Sequence, residues 1–393
     1  MKTSPFLFAV GTWLGTLACL QSPAQAQKIE LEEVVTFPTQ QVTGVAVSKT
    51  GRLFINFPDW SDNHSVSVLE VLKDGSTQPY PNEKWNQKEG PPDKRFICVQ
   101  SVYVDDEDTL WILDPASPKM AGIVPSGPKL LRVDLEKNQV VKTFTFDESI
   151  APSKSYLNDI RVDTTHGHAF ITDSGTGAII ALNLKNGEAR RLLADHPSTK
   201  AEEGIDLIVD GIKVIDPQAG KAPQIHADGI ALDKEGGWLY YHALTSHTLY
   251  RVKTADLADL KLSAEELAKK VENVATTPAP DGMLEASNGS LYLTALETNA
   301  IIHYDPRTKT TATIIEDPRL QWPDTLAMAA DGHLYVTTSQ IHRMPKYHNG
   351  TSQQKGPFAV YRLKLNPPTQ EVDAKKQNPA DAKDTPVPTS TGL

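Results

Sequence analysis

Six polar residues define the chemistry to expect of this chain: Thr43, Gln100, Asn158, Asp228, Asp281 and Asp324. Each heads a short apolar segment, and the six segments are alike. If the segments are strands gathered side by side, three carboxylates and two amides face one space. Carboxylates that close repel one another unless one keeps its proton or a cation binds among them. Oxygen-only donors suit Ca²⁺ or Mg²⁺ rather than zinc. Without a metal, Asn158, Asp281 and Asp324 offer a polar site for an organic molecule. Taken singly, each Asp or Asn is explained by side-chain bonds to the backbone at a strand head; the set argues for a site. His226 and His242 flank the fourth segment, so His242 beside Asp228 forms a candidate catalytic pair with the histidine as general base. A structural histidine is the competing reading. Trp322, two residues before Asp324, is placed to stack on a flat or cationic ligand beside His226 in the binding set, and packing between neighbouring units explains it nearly as well.

The elements that must position these residues are hairpins. Asp324-Thr325-Leu326-Ala327-Met328, a Gly332 turn and His333-Leu334-Tyr335-Val336-Thr337-Thr338 alternate as two antiparallel strands do. The pattern recurs at Thr43 to Asn56, Gln100 to Leu113, Asn158 to Thr172, Asp228 to His242 and Asp281 to Thr294. Repeats of this length, each opening on a hairpin, mark propeller blades, and the predicted fold is all-β, a six-bladed β-propeller. Ile29 to Val35 alternates apolar and charged residues and lacks a nearby partner, while the sixth blade is one strand short after Phe358 to Leu365. The N-terminal strand is therefore expected to close the last blade and remove the open edge. A helix is predicted over Ser263 to Val271 from the capping box of Ser263 and Glu266. The long connections Asp74 to Lys94 and Asp195 to His226 are candidate lids.

Met1-Lys2, an apolar run to Leu20 and Ala24-Gln25-Ala26 have the form of a secretory signal peptide, too short for a permanent span. A lipoprotein anchor at Cys19 is disfavoured by Thr16 three residues before it. The predicted organisation is a signal peptide over 1–26, the propeller over 27–365 and a disordered tail over 366–393, which is rich in Pro, Lys, Asp and Thr. The location expected is periplasmic or secreted, with no membrane attachment after cleavage. Of the two cysteines only Cys98 would remain, so no internal disulfide forms. The formal net charge is −10 with no basic cluster, which argues against nucleic acid as a partner. Gly-x-Ser-x-Gly, His-Glu-x-x-His and P-loop motifs are absent, and Gly175-Thr176-Gly177 leads into a strand rather than a helix.

Several words in the sequence go beyond the strand pattern: Leu110-Trp111-Ile112-Leu113-Asp114, Pro128-Lys129-Leu130-Leu131-Arg132-Val133-Asp134-Leu135, Ala169-Phe170-Ile171-Thr172-Asp173-Ser174, Leu239-Tyr240-Tyr241-His242-Ala243-Leu244 and Leu320-Gln321-Trp322-Pro323-Asp324-Thr325-Leu326. In these the chain resembles the yellow and major royal jelly protein family from about Val42 to Leu365. The resemblance implies a secreted six-bladed propeller with a ligand pocket at the channel mouth, in a family associated with small amines, lipids and dopachrome conversion. A more distant likeness is to gluconolactonase and regucalcin, which hold a divalent cation on an acid of the first blade, an asparagine of the third and an aspartate of the fourth. The matching positions are Thr43, Asn158 and Asp228, and the first-blade acid is missing. Three readings follow. The leading one is a cofactor-free propeller that holds a small polar or aromatic molecule, with dopachrome-tautomerase-like isomerisation as its chemistry. The second is a Ca- or Mg-dependent lactone hydrolase; the third is a non-catalytic scaffold for protein partners.

Overall fold

The computed structural model describes residues 29–365, apart from 234, 236 and 287. The expected signal peptide and tail lie outside the described residues. Six four-stranded antiparallel sheets form the blades of a β-propeller. Their innermost strands are Gly44–Val47, Ser101–Val104, Leu157–Asp163, Ala227–Asp233, Met283–Glu285 and Pro323–Met328. Each is followed by its hairpin partner, as the alternation predicts. The sixth sheet takes Pro323–Met328, His333–Thr338 and Phe358–Lys364 from the end of the chain and Leu31–Phe37 from its beginning. The closing pair is antiparallel, with Leu31 opposite Leu363 and Phe37 opposite Phe358. Both apolar ends of the N-terminal strand are buried, so ring closure rests on side-chain burial as well as on the ladder.

The core lies between blades. Trp111, Leu113 and Leu130 of the second blade pack against Leu157, Ile160, Ala169 and Ile171 of the third. Phe170, Ile179 and Ala181 of the third meet Ile230, Leu239 and Tyr241 of the fourth. Each fully buried side chain of this kind contributes roughly 1.5–3 kcal/mol, and the sum holds the inner strands around a common axis. Cys98 is buried and free.

Two expectations about the connections change. The capping box at Ser263 and Glu266 forms, but the helix is Ala264–Ala268, shorter than expected because the chain turns into the strand Glu272–Thr276. The segment from Asp74 to Lys94 is not a lid: its Tyr80 and Trp85 pack beside Phe96 and Phe54 in the core between the first two blades. The segment from Asp195 to His226 does reach the channel mouth. Its Leu207, Val209, Val214 and Ala222 pack on Leu244, Trp322, Ile341, Met344 and Tyr347.

Candidate active site at the channel mouth

The heads of the inner strands meet in one cavity of about 390 Å³. Gln100, Asn158, Asp228, Asp281 and Asp324 line it, with Trp60, Met120, Ile225, Leu244 and Ile341 as its apolar wall. Thr43, the first-blade head, is fully buried and not part of the lining.

Two local features of the chain bring the acids together. The ladders of the third, fourth and sixth inner strands shift register between Leu157 and Ile160, Ala227 and Ile230, and Pro323 and Leu326. A bulge re-aims the side chains it carries, here Asn158, Asp228 and Asp324. The backbone N–H groups loosened nearby are taken by threonines at one recurring place in the second strand: Asp159 N–H donates to Thr172 Oγ1 at 3.2 Å, Asp281 N–H to Thr294 Oγ1 at 2.9 Å and Thr325 N–H to Thr337 Oγ1 at 3.0 Å. The second feature is Gly after Asp. A Cβ on Gly229 would lie 2.6 Å from the Asp281 carbonyl oxygen, and one on Gly282 would lie 2.0 Å from that of Asp324. Only glycine permits this approach, and it draws three blades' acids toward one point.

The side chains of Asp228 and Asp281 stand close enough to bond to each other, and such a bond needs one proton between two carboxyls. Burial, then the charges of Asp281, Asp324 and Asp159, push Asp228 well above the usual carboxylate range. Burial also raises Asp281, to about 7, while the indole N–H of Trp322 and the bond from Asp228 hold it from rising further. The Trp322 donor lies 2.6 Å from Asp281 Oδ2, so Asp281 is the carboxylate of the pair and Asp228 its acid. Asp324 is raised by burial and by the charge of Asp281, and its Oδ2 is buried without a hydrogen-bond partner. Below this layer Arg161 is paired with Asp159 at 3.0 Å and crosses to the Met283 carbonyl oxygen at 2.6 Å, tying the third blade to the fifth.

Three of the expected site residues stand elsewhere. Trp322 is not a stacking surface for a ligand: it is fully buried, lies parallel to His342 at 5.9 Å and serves the site through its indole N–H. His242 does not meet the acids. Its ring is completely buried, with Nδ1 2.6 Å from the Ala243 carbonyl oxygen and Nε2 3.0 Å from Thr277 Oγ1. Both nitrogens are thus engaged, and burial lowers its pKa to about 4; a general base needs a free nitrogen facing the substrate. His226 is behind the wall, where Nδ1 accepts the backbone N–H of Ala201 at 2.9 Å.

Tyr156 is the residue whose place the strand heads did not disclose. It lines the cavity, accepts the indole N–H of Trp60 at 2.7 Å and donates to Gln100 Oε1 at 2.9 Å. Its backbone is fixed by Asp173, whose Oδ1 accepts the Tyr156 N–H at 2.8 Å. Asp114 plays the same part for Ile97 and Cys98, at 2.8 and 3.0 Å, and is neutralised by the buried ammonium of Lys129 at 2.7 Å. A signal for Tyr156 was present in the sequence: it precedes Asn158 by two residues, as Trp322 precedes Asp324.

A divalent cation would need oxygens free to turn toward it. Among the described residues no three His, Cys, Asp or Glu side chains stand in an arrangement that holds a metal. Asp228 and Asp281 are committed to each other, and Thr43 Oγ1 accepts from Asn56 Nδ2 at 3.0 Å. As arranged, the site offers an ion the unpartnered Oδ2 of Asp324 but not a full set of ligands.

The sequence model of the family described as Major royal jelly protein matches residues 97–367. Major royal jelly protein 6 of Apis mellifera is 25% identical over 235 residues, which cover 57% of this chain and 50% of that protein. Major royal jelly protein 5 of the same organism is 24% identical over 64% of this chain and 42% of its own length; the match thus spans about half of these relatives. Among solved structures, a gluconolactonase from Xanthomonas campestris superposes with a TM-score of 0.53 at 14% identity, covering 86% of this chain and 91% of that one. At such identity the likeness carries the fold alone. Among the described residues no helix is long and apolar enough to cross a membrane.

Proposed function

Since the chain belongs to the major royal jelly protein family, we propose that it is an exported propeller that holds a small polar or aromatic molecule in the channel-mouth cavity and isomerises it by proton transfer. The observation that carries this reading is the meeting of the Asp228 and Asp281 carboxyls, both raised by burial, at a cavity with an apolar wall. An acid and a carboxylate in contact are poised to give a proton at one atom of a ligand and take one at another, with no net proton consumed. A tautomerisation of the dopachrome kind needs that exchange: Asp228 protonates the developing oxyanion while Asp281 accepts the proton leaving carbon. The amide of Asn158, which among the described residues makes no hydrogen bond of its own, orients the ligand, and Trp60, Ile225 and Leu244 exclude water from its ring.

The test is a thermal-shift screen of small aromatic and polar compounds together with a dopachrome decolourisation assay. A ligand that binds only the folded chain raises the melting temperature with the logarithm of its free concentration. This rise should be seen in the wild type and be weakened in Asp228→Asn, which should also lose the decolourisation. Calcium and chelator should leave melting unchanged. A logarithmic rise with calcium that Asp228→Asn abolishes would instead establish the lactone-hydrolase reading, which the unpartnered Oδ2 of Asp324 favours. No response to any small molecule would leave the scaffold reading.

A further inference from the structure

Lys346 is a cavity-lining residue for which the proton-transfer reading has no use. It comes from the insertion between the second and third strands of the sixth blade, in the one-turn helix Pro345–Tyr347. Its ammonium donates to Met120 Sδ at 3.1 Å and lies 4.8 Å from the centre of the Tyr347 ring. Met120 belongs to the second blade's mouth loop, so the contact crosses the cavity opening. Among the described residues no carboxylate lies within ion-pair distance of Lys346. A thioether sulfur and an aromatic face are weak partners for an ammonium compared with water or a carboxylate. The residue remains exposed, so a reagent entering the cavity reaches it.

We propose that Lys346 is a carbonyl-capturing nucleophile, which joins small aldehydes entering the cavity as a reversible imine. The Nζ lone pair bonds to the carbonyl carbon as the C=O π pair moves to oxygen. The two amine protons and that oxygen then leave as water, giving the C=N bond, and hydrolysis reverses the step. Only the neutral amine attacks. Desolvation at the cavity mouth lowers the Lys346 pKa from the ordinary lysine value, by less than full burial would because the side chain is exposed. Any such lowering raises the neutral fraction at pH 7.5 above the about one in a thousand of an unperturbed lysine. The apolar wall of Met120, Ile225, Leu244 and Ile341 selects aldehydes with an apolar or aromatic body.

The experiment treats the full chain at pH 7.5 with limiting benzaldehyde and cyanoborohydride, which fixes any imine as a secondary amine, and maps the products by peptide mass spectrometry. Lys346 should be labelled at least ~10-fold faster than the exposed Lys269, and its rate should level off at a pH below the ordinary lysine pKa. Lys346→Arg should remove the fast phase and leave the surface labelling intact. Equal rates at Lys346 and Lys269, or a fast phase that survives Lys346→Arg, would overturn the proposal. The chemistry does not depend on the acid pair: fast labelling in Asp228→Asn would uphold the lysine site even if the isomerase reading failed, and slow labelling of Lys346 in a wild type that decolourises dopachrome would sink the lysine site alone.

Discussion

Asp281→Asn should make the fold more stable at alkaline pH while changing little in acid. The folded chain keeps a proton at the Asp228–Asp281 pair that the unfolded chain has already released. A carboxyl with a raised folded pKa therefore contributes a stability term that is fully present below the unfolded value, near 3.8, and is lost as pH climbs through the folded value, about 7 for Asp281. The shift is about three units, and each unit is about 1.4 kcal/mol, so the term is on the order of 4 kcal/mol before relaxation and water entry reduce it. The amide keeps the shape and an acceptor for Trp322 but cannot ionise. For a chain of this size 1 kcal/mol moves the melting temperature by roughly 1.5 °C. Melting curves at pH 4.5 should coincide within about a degree, and at pH 8.5 the variant should melt roughly 3–6 °C higher. Curves of wild type and variant that run parallel across this range would refute the claim that the pair is held protonated.

Other perturbations test the supports of the site. Trp322→Phe removes the 2.6 Å donor to Asp281, worth about 1.5–3 kcal/mol to a charged acceptor; the titration of the pair should move up by about one to two units, read by the pH dependence of melting. Gly282→Ala drives a Cβ against the Asp324 carbonyl oxygen and should cost about 1–3 kcal/mol or more, with a lower melting temperature in differential scanning calorimetry. Tyr156→Phe strands the Trp60 indole N–H and Gln100 Oε1, and should cost roughly 2 kcal/mol in denaturant unfolding. Deleting residues 29–37 exposes the last blade's edge and should lower the denaturation midpoint sharply.

The ring was legible because each blade repeats one word: a polar head, a short apolar strand, a turn and a second strand, which in the last four blades closes on Thr or His. Ring closure was legible too, since Leu31 to Val35 had alternation without a partner and Val360 to Leu365 had an unfilled neighbour. Gathering of Asn158, Asp228, Asp281 and Asp324 followed from their position, as inner-strand heads can only converge. The side from which a residue serves the site was not legible. Trp322 and His226 both stand two residues ahead of an acid, yet the left-handed backbone at Trp322, φ 58°, turns its indole toward the protein side of Asp281. His242 occupies the strand position that Thr294 and Thr337 hold in later blades, and neither the burial of its ring nor its bond to Thr277 can be read from that spacing. Lys346 reaches the cavity from a loop whose path depends on packing against Leu207 and Val209, contacts made across more than 100 residues of chain.

The most direct measurement is difference infrared spectroscopy of the carboxyl region at neutral pH. The structure predicts that the wild type shows the carbonyl stretch of a protonated, hydrogen-bonded carboxylic acid at pH 7, that the band is lost or displaced in both Asp228→Asn and Asp281→Asn, and that it shifts when a cavity ligand binds. A wild-type spectrum at pH 7 with carboxylate bands only would contradict the shared proton and the proton-transfer chemistry built on it.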